Sequence, residues 1–361
     1  MSKFIPGLTL CRLFFEEEVQ PIVDSHFRGL KHSAALIGSG SEVLGFDTPM
    51  STDHDWGPRV MLFLDASDHA RFADAVRQEL TKRLPVSFRG YSTSFGEPDP
   101  TDNGTRLLAP AKPGEVRHRV DVLTICGYTQ EYLGFDISNE IMPADWLSIS
   151  EQKLRAFTGG AVYRDEAGLQ SQRDRFAYYP RDVWLYQLAA TWTRIGQEEH
   201  LMGRAGQAGD ELGSALIASR LVRDVMRLCF LYERQYAPYA KWFGTAFAKL
   251  KCAPVLQPIL MRSRVSSNWE DRERELVVAY ETIAKLHQSA NLTEPLPTSA
   301  KQFFNRPFHV IAQHGFANAI KALIVEPTLK KRPIGGIDLI SDNTDLLCDT
   351  SFRNAVRKLY D

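Results

Sequence analysis

The chain has 361 residues, 44% hydrophobic and 24% charged, enough to bury a core in each of two domains of ordinary size. Its 43 Lys and Arg against 44 Asp and Glu leave a net charge of −1, which argues against a protein built to grip nucleic acid through a basic face. No apolar run approaches the ~18 residues of a membrane span, and acidic Glu16–Glu18 follow the N-terminal apolar patch too soon for a signal pattern. Five scattered cysteines without a CxxC pair read as reduced thiols of a cytoplasmic protein, and the nine histidines include no HExxH.

In chain order, an apolar helix around Leu10, Leu13 and Phe14 is expected to bend or restart at Pro21. His32–Ile37 reads as a short buried strand ending in Gly38-Ser39-Gly40-Ser41. Asp53–Leu64 reads as a second strand, with a bulge at Gly57-Pro58. Ser67–Leu84 carries Ala70, Ala73, Val76, Leu80 and Leu84 on one face and predicts a helix stopped by Pro85. Val86–Tyr91 alternates as a strand, Gly96–Gly114 is a loop, and Val116–Ile125 is a further strand.

After residue 170 nearly everything reads as amphipathic helix. Leu185, Leu188, Trp192 and Ile195 mark one. Leu212, Leu216, Leu221, Val225, Leu228 and Tyr232 mark a second, Leu276, Tyr280, Ile283 and His287 a third, and Phe316, Ile320 and Leu323 a fourth. A Gly-rich loop is expected over 203–213. His309 and His314 fall on a helix begun by Arg306-Pro307-Phe308. The fold class expected is α+β: a mixed-sheet domain over 1–170 followed by a helical bundle over 171–361.

One stretch stands apart chemically. Asp53 and Asp55, two apart on the expected strand, would point their carboxylates to one side and repel unless a cation sits between them. Hard carboxylate oxygens suit Mg²⁺ or Mn²⁺, which take further ligands from substrate phosphates. Gly38 lets backbone approach a phosphate closely, and Ser39 and Ser41 add hydroxyl donors. Asp121, between Val120 and Val122, is a third carboxylate whose burial a shared metal would compensate. A phosphate cradle beside metal-binding carboxylates describes phosphoryl or nucleotidyl transfer.

The pattern hydrophobic-Gly-Ser (Ile37-Gly38-Ser39), 13 residues (Gly40–Thr52), Asp53-His54-Asp55, and later Asp121 on a strand resembles the nucleotidyltransferase superfamily, which includes DNA polymerase beta and the aminoglycoside nucleotidyltransferases. His54 stands where an aliphatic residue is usual. The stretches DVWLYQLAATWTRIGQEEHLMGRAGQAGDELGS and LYERQYAPYAKWFGTAFAKL look similar to a bacterial and fungal family of unknown function within that superfamily.

The resemblance implies a nucleotidyltransferase-like core whose cleft the helical domain closes, and transfer of a nucleoside monophosphate from an NTP such as ATP to a hydroxyl. It implies metal ligation by Asp53, Asp55 and Asp121, and triphosphate contacts from Gly38, Ser39, Ser41 and, more remotely, Lys241. Asp165, in a Tyr-x-Asp setting, is a further candidate. Acidic Asp99, Asp102, Glu115, Glu198, Glu199, Asp210 and Glu211, if they face the cleft, predict a small neutral or cationic acceptor. Two alternatives stand beside this: a catalytically silent nucleotide-binding or interaction protein on the same fold, and an RNA-modifying transferase, which the net charge disfavours.

Overall fold

The computed structural model describes residues 4–102, 104–331 and 333–360. They form two compact units, one of residues 1–140 and 153–177, the other of 141–152 and 178–361. The chain thus divides at 177/178 rather than at 170/171, and a short early segment joins the helical unit. The fold class is α+β.

The first unit opens with α1 (Gly7–Phe14), a π-helical turn at Phe15–Val19 and α2 (Gln20–His26). The widened turn lies just ahead of Pro21, which has no N–H to give the regular ladder. Then come β1 (Ser33–Leu36), β2 (Arg59–Leu64), α3 (Ala66–Arg83), a hairpin of β3 (Ser87–Phe88) and β4 (Tyr91–Ser92), β5 (Arg119–Thr124) and α4 (Ile125–Leu133). The chain makes α5 (Pro143–Ser148) in the second unit, α6 (Glu151–Thr158) runs back into the first, and β6 (Ala161–Asp165) and α7 (Leu169–Asp174) follow. The main sheet has the order β5-β2-β1-β6; β5 runs parallel to β2, and the other pairs are antiparallel.

Side-chain alternation gives the sheet two different faces. Val60, Leu62 and Leu64 of β2 and Val120 and Val122 of β5 pack with Leu10 and Phe14 of α1 and Ala73, Val76 and Leu80 of α3 in the main core. The odd-numbered positions, Arg59, Met61 and Phe63 beside Arg119, Asp121 and Leu123, face the other way. There Phe63 meets Tyr128 of α4.

Two strand expectations are corrected by turn chemistry. β2 begins at Arg59, not at Asp53. Pro49 and the Thr48–Ser51 capping box wind Pro49–Asp53 into a 3₁₀ turn, and Asp55 (φ 47°), Gly57 (φ 148°) and Pro58 keep the next residues off a ladder. Val86–Tyr91 is not one strand but most of a hairpin, because Arg89 (φ 54°) and Gly90 (φ 88°) form its two-residue turn.

The second unit is built on α8 (Arg181–Gln207), α9 (Glu211–Tyr232), α10 (Ala240–Phe247), α11 (Ala253–Val265), α12 (Trp269–Ser289) and α13 (Phe316–Lys321), with a small ladder of β7 (Lys301–Gln302) and β8 (His309–Val310). Leu185, Leu188, Trp192 and Ile195 of α8 and Leu276, Tyr280, Ile283 and His287 of α12 are all buried. A polar chain threads this core: Trp192 Nε1 donates to Tyr232 Oη (2.7 Å), which bonds His287 Nδ1 (2.9 Å). Burial holds His287 down at about 4.

The first turns of α9 are misphased by the sequence pattern. Leu212 and Leu216 are 73% and 60% exposed, and the buried stripe is Ser214, Ala218, Leu221, Val225 and Leu228. Residues 203–213 are not a loop either, since α8 runs through Gln207. Gly203 packs on Phe308, and a Cβ at Gly206 would collide with the Trp269 ring, so these glycines admit aromatic neighbours to a helix. His309 and His314 share no helix. His309 Nδ1 lies 3.2 Å from Glu273 and His314 Nε2 bonds the Ser299 carbonyl at 2.9 Å.

Candidate functional site in the first unit

β1 runs antiparallel to β2, with Ala35 opposite Met61, so the turn leaving β1 lies at the end where β2 begins. β5 runs parallel to β2 with Arg119 opposite Arg59, so its first residues lie at that same end. Sheet topology therefore collects Gly38–Ser41, Asp55 and the Arg119–Asp121 stretch at one edge of the sheet.

The turn is shaped for close approach. Gly38 (φ 86°) and Gly40 (φ 149°) take backbone conformations that side chains resist. Gly38 N–H donates to the Ala156 carbonyl (3.0 Å). The N–H groups of Ser39, Gly40 and Ser41 donate to no group among the described residues. Arg59 braces the turn from below: its Nη2 donates to the Ser39 carbonyl (2.9 Å) and its guanidinium pairs with buried Glu42, Nε to Oε1 at 3.1 Å. Burial opposes the charge on Arg59, but Glu42 outweighs it, and the net shift is upward.

Asp55 accepts from Arg119 Nη1 and, at 3.3 Å, from the N–H of Arg106, whose carbonyl takes the Asp55 N–H at 3.0 Å. The Arg119 guanidinium also lies 5.6 Å from the centre of the Phe95 ring. Asp121 follows two residues after Arg119 on the same face and is exposed, while Val120 and Val122 are buried. The expectation of a buried carboxylate needing compensation is thus corrected: alternation turns it outward. Asp53 is exposed and its Oδ1 bonds His54 Nδ1 at 2.7 Å.

Among the described residues no group of three His, Cys, Asp or Glu side chains is disposed to hold a metal ion. Asp53, Asp55 and Asp121 are not gathered into one ligand set. Asp55 is held by Arg119, and Asp121 follows two residues along β5; both offer hard carboxylate oxygens, the donor chemistry a divalent cation takes. The guanidinium takes the place beside Asp55 that such an ion would need.

Outside this edge the expected site residues have other duties. Asp165 is a structural cap: it accepts from Ser33 Oγ (2.6 Å) and the N–H groups of Leu169 (2.8 Å) and Gln170 (3.0 Å). Lys241, at the start of α10, is exposed, with Nζ 5.1 Å from the centre of the Trp242 ring. The acids expected to steer an acceptor in the second unit are bound internally. Glu198 pairs with Arg220, Asp210 caps α9 through Gly213 N–H (2.7 Å), and Glu211 takes Trp269 N–H (3.0 Å) and Arg272 Nη1 (3.1 Å). In the first unit Asp99 closes its own turn through Thr101. Asp99, Asp102, Glu115 and Asp210 are exposed.

Glu199 yields a prediction of its own. It is buried and accepts the Ile311 N–H at 2.8 Å; burial pushes its carboxyl up to about 7, the Ile311 and Ala312 N–H groups offsetting only part of this. A carboxyl raised in the folded state takes up a proton on folding. Its stabilising contribution is complete below its ordinary value of 4.5 and is lost as pH rises through about 7. Between pH 5 and 7.5 the native protein should lose up to about 3 kcal/mol that a Glu199→Gln variant keeps. Urea midpoints of both proteins at the two pH values measure this; parallel profiles would contradict it.

Arg59, Glu42, Arg119 and Tyr128 were not among the candidates read from sequence. Stepping back by two from Asp121 along β5 would have found Arg119, while the other three show only in three dimensions.

Comparison with protein families matches residues 146–243 to one described as a domain of unknown function (DUF4037). The match runs from the end of α5 through α6, β6, α7, α8 and α9 to the start of α10, covers the first quoted helical stretch whole and the second in part, and leaves Gly38–Asp121 outside it. No curated protein matches the chain.

Proposed function

We propose that the first unit binds a nucleoside triphosphate at the Gly38–Ser41 turn and transfers its nucleoside monophosphate, AMP in the case of ATP, to the hydroxyl of a small-molecule acceptor. On this reading the unit is a nucleotidyltransferase-like core. The supporting observation is the set of uncommitted N–H groups at Ser39, Gly40 and Ser41, at the same sheet edge as Asp55 and Asp121. Such N–H groups favour an anion, and hydroxyls of Ser39 and Ser41 add donors.

Asp55 and Asp121, with Asp53 once turned from His54, would hold a magnesium ion, which would neutralise phosphate charge as it shifts toward the leaving group. The acceptor oxygen bonds the α-phosphorus as the bond to the β-phosphate oxygen breaks. Its electron pair leaves on pyrophosphate, and the hydroxyl proton passes to the Asp121 carboxylate. Arg119, now paired with Asp55, would have to release it for this set to hold the ion.

One observation favours a second reading. Asp55 is already neutralised by Arg119, as suits a nucleotide-binding protein without catalysis. Calorimetry separates the two. Transfer predicts ATP binding that strengthens at least about tenfold with Mg²⁺, as an added counter-charge between carboxylates and phosphates would give. Binding indifferent to the metal, without pyrophosphate release, would support the silent protein.

A further inference from the structure

We propose that the Tyr128 hydroxyl is a nucleotide-contacting donor of the Gly38–Ser41 turn, giving its proton to a phosphate oxygen of the bound triphosphate. The inference rests on the nucleotide-binding reading above and adds a residue to it.

The Tyr128 side chain is buried, and its Oη has no hydrogen-bond partner among the described residues. Buried hydroxyls are nearly always satisfied, so an orphan one asks for an explanation. The ring is held on several sides, with ring centres of Tyr132, Phe63 and Phe157 at 5.4, 5.7 and 6.3 Å. These neighbours fix where Oη points. It points at Gly38, where a Cβ would stand 2.5 Å from it. The missing side chain of Gly38 is therefore the space through which the hydroxyl faces the turn.

The chemistry selects the ligand class. Burial pushes the phenol well above its usual range, so it stays protonated and acts as a donor. The neighbouring N–H groups of Ser39, Gly40 and Ser41 are donors as well. These donors favour an acceptor-rich ligand such as a phosphate oxygen, and buried Glu42 at the turn is already paired with Arg59.

Phenylalanine fills the same ring slot and removes only the orphan hydroxyl. In a Tyr128→Phe variant the urea midpoint should stay the same or rise, because no satisfied bond is lost. Its Kd for ATP and for inorganic triphosphate, each with Mg²⁺, should rise about 5- to 10-fold, the worth of one hydrogen bond. Equal affinity in the two proteins would overturn the role of Tyr128 and leave nucleotide binding standing. A fall in stability alongside affinity would make the hydroxyl structural and also overturn it. Failure of the unaltered protein to bind either ligand would overturn the nucleotide reading and this inference together.

Discussion

Replacing Asp55 and Asp121 together by alanine should reduce Mg²⁺-dependent pyrophosphate release by at least about 10³-fold, as expected when groups acting on the reacting centre are removed as a set. The fold should survive. The Asp55–Arg119 pair has side chains 41% and 24% exposed, and pairs that open to water are worth about 0–1 kcal/mol. Asp121 is exposed on its strand, so its loss removes no packing. Turnover lost with stability lowered by no more than about 1–2 kcal/mol, from the lost Arg119 pair and an alanine in the left-handed backbone of Asp55 (φ 47°), is the expected result. Turnover retained would remove the carboxylates from the mechanism; turnover lost together with more stability than this would make them structural.

The largest stability effect is expected at Gly160, where α6 hands over to β6. Its φ of 69° is left-handed, its N–H bonds the Val43 carbonyl at 2.9 Å, and an added Cβ would fall on the Leu36 carbonyl oxygen. That oxygen belongs to β1, whose Leu36 stands opposite Ala161. Backbone on both sides cannot yield as a flexible side chain would. Gly160→Ala should therefore cost about 3–5 kcal/mol, part in the left-handed backbone and part in forcing β1 from β6. Gly29 is the matched control, with a similar φ of 80° and nothing within 4 Å of its added Cβ. Gly29→Ala should cost only about 1–2 kcal/mol. Similar losses for the two variants in urea denaturation would contradict this account. Because β1 ends at the Gly38 turn, Gly160→Ala should weaken nucleotide binding as well.

Burial period explains which elements the sequence disclosed. α3 and the α8 and α12 stripes have a single buried face, so a 3.6-residue pattern found them. β2 and β5 were found from apolar runs, but the start of β2 was set six residues too early because turn-forming Thr48-Pro49 and Gly57-Pro58 outweighed the apolar pattern only in context. β6 passed unseen, since its residues are half-buried at a sheet edge and carry no clear alternation. At α9, Leu212 and Leu216 misled because single exposed leucines are common on protein surfaces.

The candidate site was legible in part for the same reason. Glycine and acid spacing marked Gly38, Ser39, Asp55 and Asp121, residues that one sheet edge brings near each other. What the acids touch was hidden. Arg119 reaches Asp55 across 64 positions of sequence, and Tyr128 reaches Gly38 from a helix that follows a different strand. The bonds of the second unit's acids were hidden too: Asp210 caps α9, Glu198 pairs with Arg220 and Glu211 with Arg272.

On the proposal above, the Gly38–Ser41 turn carries nucleotidyl transfer to a small hydroxyl compound. Incubation with each α-labelled NTP, Mg²⁺ and a whole-cell extract, followed by separation into small-molecule, RNA and protein fractions, tests it most directly. The expected result is label from ATP in the small-molecule fraction, with matching pyrophosphate release, absent in the Asp55→Ala/Asp121→Ala protein. Label in RNA, or no transfer from any of the four nucleotides despite tight binding, would contradict it.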